Sequence, residues 1–515
     1  PGARLRWEVF DSRGRLLAAT ETPAGSPRAS LELTPPVVVS HHLDVSLLDG
    51  QRTLAHARRT FTIPRPHDLT DYTALLWTYP GGEPVLRQTM ADCYQHGAGL
   101  QDLCHMGGYD DRLAAREYAV AAASGLRLIP YVTRIAGEVA PGNQRSPGLH
   151  DPAWRQRTRD SLTVTCRQAA PYAPAAFTLG DENYLVQGTQ EVCLRPDSIA
   201  AFRDWLGRRY GNIEALNAAW GSNHAGFESI TPMLLGEAVA RQSGFAPWMD
   251  FRRFMDHSFA DAHEDFADTI RQVVPGARVG WDGFLGYQWQ SGYDFARLTE
   301  RLELNQSYSV NWLMGELIRS FKRPNALVGK WGNAVADNRE GFDAWVWDGL
   351  LSGDNSVWWW TSWGCDYIPF NPDLSLNAFG EGFFRAVRET SAGPGKLLLH
   401  AQRDRSGIGV LYSQDDLFAA TLAGELTQDK AYAGSNSFLG QHRALLETLH
   451  DLGYQYHHLS TAQLEAGDLS VQREPVFILP LAACLSDQQV AALRRYVEAG
   501  GTLLVDGRAG LLTGP

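Results

Sequence analysis

The first part of the chain alternates hydrophobic and polar residues in short runs, which is the pattern of half-buried antiparallel strands. Turn-forming sequences such as Asp11-Ser12-Arg13-Gly14 separate these runs. We therefore predict a partial β-sandwich of immunoglobulin-like type over residues 1–65. Its strands are predicted at Leu5–Phe10, Ser30–Leu33, Leu43–Leu48 and Arg58–Ile63.

After the segment Pro64–Pro66, the pattern changes to short apolar runs that alternate with amphipathic helical segments. Eight such strand–helix units over about 320 residues are typical of a (β/α)8 barrel. We predict this α/β barrel over residues 66–392. Its strands are predicted at Thr73–Tyr79, Gly99–Cys104, Leu126–Val132, Ala176–Asp181, Arg278–Asp282, Leu302–Tyr308, Ala326–Trp331 and Ser356–Thr361.

A connector with glycine and proline, from Ser391 to about Asp404, leads to a third region in which strands and helices alternate again. We predict a flavodoxin-like or amidotransferase-like α/β domain over residues 405–515. We expect its sheet to be incomplete at Pro515 and the chain to be a fragment of a longer protein. Its strands are predicted at Ile408–Tyr412, Tyr454–Leu459, Val476–Leu479 and Thr502–Val505.

The chain is acidic, with a formal net charge of −12. It lacks the excess of positive charge that binds nucleic acids and anionic membranes, so we predict neither as a partner. The six cysteines form no CxxC pair and the histidines lack the spacing of zinc ligands, so we predict no metal site. The longest uncharged apolar run, Pro475–Leu485, is too short to cross a bilayer. For the compartment, we expect a periplasmic or extracellular location rather than a cytoplasmic one.

Tryptophan is concentrated in the second half of the predicted barrel. Ten of the 16 tryptophans fall between Trp281 and Trp363. This density exceeds what the packing of a core usually requires and favours an aromatic cleft that is open to water.

The leading candidate site lies at the end of the fourth predicted strand. Asp181, Glu182 and Asn183 follow this apolar run directly. In a (β/α)8 barrel the active site lies at the carboxyl ends of the strands, so we expect these side chains at the mouth. A solvated loop is the alternative for such an Asp-Glu pair.

A resemblance to a known family begins at this strand. The segment Ala176–Tyr184 resembles the fourth-strand motif of the clan A glycoside hydrolases, in which an Asn-Glu pair supplies the acid/base. Ala201–Leu206 and Tyr210–Gly221 are similar to the family 42 β-galactosidases, and Tyr496–Val505 resembles the trimerisation domain of that family. The resemblance implies a hydrolase of β-linked glycosides with a carbohydrate substrate, and a homo-oligomer, by resemblance a trimer. No cofactor is implied, because two carboxyl groups and water suffice.

By this resemblance, Glu182 is the acid/base that protonates the glycosidic oxygen and then activates water. Asp181 replaces the asparagine of the family motif. An amide both donates to and accepts from a sugar 2-hydroxyl, whereas an ionised aspartate only accepts. We therefore expect Asp181 and Asn183 to contact a substrate whose sugar can differ from galactose.

The second carboxylate departs from the family pattern. The family has a glutamate nucleophile at the end of the seventh strand, where this chain offers Gly329 or Lys330. The nearest substitute is Asp282 at the end of the fifth strand, beside Glu182 if the strands follow in sequence. Adjacent strands lie about 4.8 Å apart, so this pair fits a retaining or an inverting separation. A turn-forming aspartate before the following glycine is the alternative for Asp282.

Four other residues at strand ends are candidates for binding the sugar. Asn305 and Tyr308 close the sixth strand, where they can bond a sugar or orient an acid, and the alternative is a rim tyrosine whose hydrogen bonds are satisfied within the protein. Lys330 and Trp331 end the seventh strand. Lys330 can neutralise a carboxylate or bind a hydroxyl, and the alternative is a stem that packs along the barrel rim.

The eighth strand carries three consecutive tryptophans and a further one at its exit. By resemblance, a tryptophan at this end forms the floor of the −1 subsite, and Trp360 or Trp363 is the candidate. Glu316, near the start of a helix, is predicted to be a helix-surface acid.

Two other functions stay open at this point. The first is a non-catalytic barrel that binds carbohydrate through its aromatic residues and has lost the seventh-strand nucleophile. The second is a hydrolase of a different glycoside, such as a mannoside, a glucoside or an acidic oligosaccharide.

Overall fold

The computed structural model of the chain describes most of the barrel and of the regions on either side of it. The described residues are 2–33, 38–64, 70, 72–78, 100–104, 111–124, 126–186, 191–241, 243–284, 289–308, 312–332, 339–359, 369–373, 375–424, 438–506 and 509–513. Trp360 and Trp363 lie outside these residues. Of the helices within them, none is both long and apolar enough to cross a bilayer.

The N-terminal region is a four-stranded antiparallel sheet. Its strands are β1 (Arg4–Asp11), β2 (Leu16–Pro23), β3 (Ser40–Asp49) and β4 (Arg52–Thr62), in the order β2-β1-β3-β4. Asp11 closes the turn after β1, because its carboxylate accepts the backbone N–H groups of Arg13 and Arg15. The sequence pattern misses β2 because its side chains are exposed or half-buried on both faces. The prediction of a strand at Ser30–Leu33 is wrong.

The second region contains a closed barrel of eight parallel strands within the described residues. The strands of the region are β5 (Thr73–Thr78), β6 (Leu100–Cys104), β7 (Arg127–Tyr131), β8 (Glu138–Ala140), β9 (Gln144–Ser146), β10 (Phe177–Asp181), β11 (Val279–Phe284), β12 (Leu304–Ser307), β13 (Leu327–Gly332) and β14 (Ser356–Trp359). β8 and β9 form a short hairpin outside the barrel. β14 pairs with β5, and β7 pairs with β10, which closes the ring. The predicted (β/α)8 fold class is confirmed.

Helices alternate with these strands and surround the barrel. They are α1 (Asp111–Ala123), α2 (Pro152–Ala169), α3 (Pro196–Tyr210), α4 (Ile213–Trp220), α5 (Leu235–Arg241), α6 (Ala246–Val273), α7 (Phe295–Arg301), α8 (Trp312–Phe321), α9 (Arg339–Leu351) and α10 (Ala378–Thr390). Several begin with a polar cap, as in α2, where Asp151 accepts the N–H groups of Ala153 and Trp154.

The tryptophans of the barrel are divided between its interior and its outer layer. Trp331 lies inside, with ring centroids 5.1 Å from Trp77 and 5.3 Å from Trp358. Trp359, the next residue along β14, packs outward against Phe342. These described tryptophans are buried and form packed cores on both sides of β14, whereas the predicted cleft-floor residues Trp360 and Trp363 lie outside the described residues.

A helix forms the main part of the predicted connector, and residues 401–404 after it have neither helix nor strand structure. Residues Gly393–His400 form α11, in which Pro394 occupies the first turn. Proline fits this position because the first N–H groups of a helix have no intrahelical acceptor. Leu398 and Leu399 pack against the main core. Glycine and proline therefore begin a helix here and do not mark an irregular linker.

The C-terminal region is a parallel α/β layer. Its strands are β15 (Ile408–Tyr412), β16 (Tyr456–Ser460), β17 (Val476–Leu479), β18 (Cys484–Leu485), β19 (Thr502–Val505) and β20 (Leu512–Thr513). Its helices are α12 (Gln414–Leu422), α13 (Phe438–Asp451), α14 (Thr461–Ala466) and α15 (Asp487–Glu498). The main sheet has the order β16-β15-β17-β19, which is the flavodoxin-like order 2-1-3-4.

Polar contacts attach this α/β layer to helix α6 of the barrel. Arg253 Nε donates to Asp415 Oδ1 at 2.7 Å, and Gln414 Nε2 donates to Asp256 Oδ2 at 2.8 Å. Both barrel residues are buried or nearly so. These contacts fix one face of the layer against the barrel.

Glu316 lies buried where α8 meets the α/β layer. Its carboxylate accepts hydrogen bonds from Arg319 at 2.7 Å and from Arg403 at 2.7 and 2.8 Å. The prediction of a helix-surface acid is wrong. The pattern of α8 alone does not reveal that Arg403, from beyond α11, covers this side of the helix.

Strands β11 and β12 approach each other more closely than a side chain at Gly280 allows. A Cβ atom at Gly280 would lie 2.0 Å from the Leu304 carbonyl oxygen and 2.5 Å from the Leu304 nitrogen. Both are backbone atoms of the neighbouring strand, which cannot move aside independently. Glycine at this position is therefore a condition for closure of the barrel at β11.

We expect Gly280→Ala to lower the free energy of unfolding by about 3 kcal/mol, because the new methyl group forces two paired strands apart. Chemical denaturation followed by circular dichroism measures this loss. The matched control is Gly207→Ala in α3, where no atom lies within 4 Å of the added Cβ. The control should stabilise the chain by roughly 0.5–1 kcal/mol. Equal midpoints for the two variants would contradict the steric argument.

Candidate active site

A backbone irregularity at the end of β10 presents two consecutive acids at the mouth of the barrel. The pairing of β10 with β11 shifts register between Thr178 and Asp181. Glu182 then adopts a φ of +48°, a left-handed conformation that is uncommon for residues other than glycine. Its N–H donates to the Gly283 carbonyl at 3.2 Å, which anchors this turn to the neighbouring strand. A regular strand would send the two side chains to opposite faces.

Asp181 is held by two tyrosine hydroxyl groups. Tyr131 donates to its Oδ1 at 2.7 Å and Tyr308 donates to its Oδ2 at 3.0 Å. Burial, and next the negative charge of Asp181, raise the pKa of both tyrosines far above the usual range, so both remain neutral donors. Tyr308 reaches Asp181 because Gly283 has no side chain, and a Cβ there would lie 2.7 Å from the Tyr308 hydroxyl.

Glu182 forms an ion pair with Arg134. The distance from Arg134 Nη2 to Glu182 Oε2 is 2.5 Å, and the two side chains are 34% and 37% exposed. The Nε atom of the same guanidinium donates to the Asp181 carbonyl at 3.1 Å and lies 3.7 Å from Asp181 Oδ1. Because one guanidinium contacts both acids, their nearest carboxylate oxygens are less than about 9 Å apart, which does not exceed the widest separation of glycosidase carboxyl pairs.

Asp282 lies beside Asp181 on the next strand but has no exposed surface. The two residues are register partners in the pairing of β10 with β11. Among the described residues, only the Thr178 hydroxyl lies near enough to act on the Asp282 carboxylate as a donor, and it does not reach good hydrogen-bond geometry. Burial, and next the charge of Asp181, raise the pKa of Asp282 well above its usual value, while the Thr178 hydroxyl and Arg134 oppose this rise.

Three of the residues predicted to bind substrate are directed away from this group. Asn183 is buried, where its Oδ1 accepts the Ile135 N–H at 2.7 Å. Asn305 is also buried and accepts the Trp281 indole N–H at 3.2 Å. Lys330 pairs with Asp348 of α9 at 2.5 Å, on the helix side of β13. The structure does not bring these three side chains to the carboxylates.

Tyr308 and Trp331 are brought to the mouth. Their ring centroids are 5.9 Å apart, and Trp331 belongs to the interior cluster on which Tyr308 packs. Trp331 is only 4% exposed, so it forms the apolar layer beneath the carboxylates. The predicted floor residues Trp360 and Trp363 lie outside the described residues.

Sequence reasoning missed two residues of the site, Tyr131 and Arg134. Both come at or just after the carboxyl end of β7, the strand that pairs with β10. The rule that singled out Asp181 and Glu182, polar residues that follow a barrel strand, applies equally to Arg134. Within the described residues, no group of three His, Cys, Asp or Glu side chains has an arrangement that could hold a metal ion.

Buried polar groups fix the turn that carries the two acids. The Arg145 guanidinium donates to the carbonyls of Leu185 and Ile135, both at 2.6 Å. Asn183 Nδ2 donates to the Leu179 carbonyl at 3.0 Å and lies 3.2 Å from Nε2 of His263. Burial lowers the pKa of His263 to about 4, so the ring is neutral and Nε2 accepts. The turn is thus tied to α6.

We expect Asn183→Ala to lower the free energy of unfolding by about 2–3 kcal/mol, because the buried Ile135 N–H loses its acceptor. Thermal and chemical denaturation measure the loss. Asn212→Ala, which removes an exposed helix cap, is the matched control and should cost about 1 kcal/mol. A change in sugar binding without loss of stability would instead indicate that Asn183 contacts the substrate.

The central part of the chain is similar in sequence to β-galactosidases. The glycoside hydrolase family 42 model, described as β-galactosidase, matches residues 166–322, which include β10 to β12. A β-galactosidase of an Arthrobacter species is 39% identical over 149 residues, which are 28% of this chain and 21% of that protein. β-Galactosidase BgaA of a Thermus species is 27% identical over 148 residues, 28% of this chain and 23% of that protein. The match thus covers about a fifth of the length of these relatives.

Solved structures extend the similarity to most of the fold. The β-galactosidase of the psychrophilic Marinomonas ef1 superposes with a TM-score of 0.66 at 14% identity. The superposition covers 86% of this chain and 76% of the Marinomonas chain. The β-galactosidase of Halorubrum lacusprofundi has the same TM-score and identity, and covers 86% and 74%. The chain therefore has the fold of these barrel enzymes and resembles the family 42 β-galactosidases among the clan A glycoside hydrolases.

Proposed function

We propose that the barrel is a glycoside hydrolase that cleaves β-linked glycosides of the β-galactoside type. The observation that carries this proposal is the turn after β10, which holds the carboxylates of Asp181 and Glu182 at the mouth, both in contact with Arg134. Tyr308 is half-buried beside them and packs on the buried Trp331, so the accessible part of its ring can pack against the C–H groups of a sugar. The resemblance to β-galactosidases supports the substrate class.

Glu182 is the acid/base in this proposal. As an acid it protonates the glycosidic oxygen, and the bond between that oxygen and the anomeric carbon breaks. As a base it then takes a proton from the water that attacks the anomeric carbon. Its partial exposure allows contact with a substrate. A carboxyl that donates a proton cannot remain in an ion pair, so substrate binding must separate Glu182 from Arg134.

Asp181 is better placed than Asp282 to be the carboxylate that contacts the sugar. The Asp181 side chain is 14% exposed, whereas Asp282 is fully buried behind it. A carboxylate with no accessible oxygen cannot contact an anomeric carbon or a water. We therefore assign to Asp181 the negative charge that faces the oxocarbenium-like transition state. Because this carboxylate only accepts hydrogen bonds, it favours a sugar hydroxyl that donates.

A non-catalytic barrel that binds carbohydrate is the second candidate function. One observation favours it, since the described end of β13, Gly329 to Gly332, carries no carboxylate and Lys330 faces α9. In this case the chain binds galactosides but releases no product. Calorimetric titration with lactose, beside a hydrolysis assay, separates binding from turnover.

We also propose that the chain assembles into a homo-oligomer, with a trimer expected from the resemblance. Apolar side chains exposed on the α/β layer support an association through this layer. They are Val490, Val497, Leu504 and Val505, which are between 40% and 49% exposed. Light scattering coupled to size-exclusion chromatography tests the oligomeric state.

We expect Glu182→Gln to lower kcat/KM for lactose by about 10³-fold, because an amide cannot protonate the leaving oxygen. Lactose is chosen because its leaving group needs this proton. The matched control is Glu237→Gln on the surface of α5, where the carboxylate is 50% exposed and pairs only with Arg241 among the described residues. Proton NMR of the first sugar anomer released by the unmodified protein identifies retention or inversion. Full activity of Glu182→Gln would remove Glu182 from the acid role.

A further inference from the structure

Two aspartates occupy matched positions on neighbouring strands of the barrel. Asp181 on β10 and Asp282 on β11 are register partners, and adjacent strands lie about 4.8 Å apart. Two ionised carboxylates so close, in a region from which water is largely excluded, repel each other strongly. Such a pair holds a proton until the pH is high enough to remove it against this repulsion.

The surroundings of the two acids are unequal. Asp181 receives hydrogen bonds from two tyrosines and lies 3.7 Å from the Arg134 guanidinium. All of these contacts favour an ionised carboxylate. The Asp282 oxygens are buried, and among the described side chains only the Thr178 hydroxyl acts on them as a donor, without good hydrogen-bond geometry. The charge of the pair is therefore most stable on Asp181, and the proton on Asp282.

The described groups around Asp282 come from three strands and their exits. β10 contributes Asp181 and the hydroxyl of Thr178, and Arg134 follows β7. Tyr131 ends β7 and Tyr308 follows β12, and both donate hydrogen bonds to Asp181. Arg134 is the one cation among them, and it is already engaged by Glu182. This set has no second cation to balance a charge on Asp282.

We propose that Asp282 is a positioning residue that holds a proton, so that Asp181 alone carries the negative charge that faces the substrate. Asp282 acts through Asp181 and does not touch the sugar. This role rests on the proposed hydrolase function for its kinetic consequence, but the protonation state of Asp282 can be measured without any activity. If Asp282 ionised, the second charge would repel Asp181 and disturb its bonds to the two tyrosines.

The dependence of the chain's stability on pH tests directly whether Asp282 holds a proton. A carboxyl whose pKa is higher in the folded than in the unfolded state destabilises the fold as pH rises above the unfolded value of about 3.9. Asn is the neutral counterpart of protonated Asp, so Asp282→Asn removes this effect. We expect the Tm of Asp282→Asn to rise relative to that of the unmodified protein between about pH 5 and 8. Parallel curves for the two proteins would overturn the proposal.

Substitution of Asp181 provides a second test of the interaction between Asp181 and Asp282. In Asp181→Asn the repelling charge is absent, so Asp282 ionises more readily. Two Tm differences are compared: the one between Asp181→Asn and the double variant that also carries Asp282→Asn, and the one between the unmodified protein and Asp282→Asn. The first difference should depend less on pH than the second. If Asp282→Asn does not fold, Asp282→Ser serves in both comparisons, because it is also neutral and small. An equal pH dependence in the two backgrounds would contradict a shared proton.

Kinetics distinguish positioning from direct catalysis. We expect Asp282→Asn to hydrolyse lactose and to lose the alkaline decline that ionisation of Asp282 causes in the unmodified protein. Asp181→Asn should lower kcat/KM about 100-fold. If Asp282 were itself the reacting carboxylate, Asp282→Asn would be inactive at every pH, which would overturn the proposal. If the unmodified protein is inactive, the proposed hydrolase function is wrong. The Tm comparison still shows whether Asp282 is protonated.

A matched control comes from the α/β layer. Burial raises the pKa of Asp416 to about 8, and its carboxylate accepts the Cys484 N–H at 2.7 Å. Asp416→Asn should change the dependence of Tm on pH, because the sign of the shift is the same. Its distance from the barrel mouth means that the pH profile of hydrolysis should not change. A changed profile in this control would indicate a general effect of stability on the kinetics.

Discussion

The pairing of β10 with β11 is the contact on which the candidate site depends. Its register sets Asp181 beside Asp282, and its shift after Thr178 allows Glu182 to turn toward the same end of the barrel. The close approach of β11 to β12 requires Gly280 and continues this alignment to the strand before Tyr308. The positions of Asp181 and Asp282 thus follow from backbone pairing, while Glu182 and Arg134 lie just beyond the ends of β10 and β7.

Strand identity in the barrel could be predicted from sequence because each strand is buried on both faces and reads as an apolar run. The described bounds of β10, Phe177–Asp181, differ by one residue from the predicted segment. β2 was not predicted, whereas part of β4, the other edge strand, was predicted at Arg58–Ile63 although most of its side chains are exposed. The helix α11 was missed because glycine and proline have different effects at the first turn of a helix and inside a loop.

The site was predictable only as far as the strand-end rule reaches. That rule found Asp181 and Glu182, but it cannot tell which side of the barrel wall a residue faces. Lys330 and Trp331 are neighbours, and one residue of offset sends Lys330 to α9 and Trp331 to the interior. Asn183 follows two acids at the mouth, yet it turns inward to bond backbone groups. The direction of these side chains depends on residues distant in sequence, which the local sequence pattern does not indicate.

Helix α6 joins two parts of the molecule that have so far been described separately. His263, near its middle, contacts the turn that carries the acids, while Asp256 and Arg253 hold the α/β layer. Asp256 and His263 are seven residues apart, about 10 Å along a helix. One continuous helix therefore connects the turn that carries the acids to the contacts that hold the α/β layer. A change in how the layer is attached would reach the carboxylates through this helix.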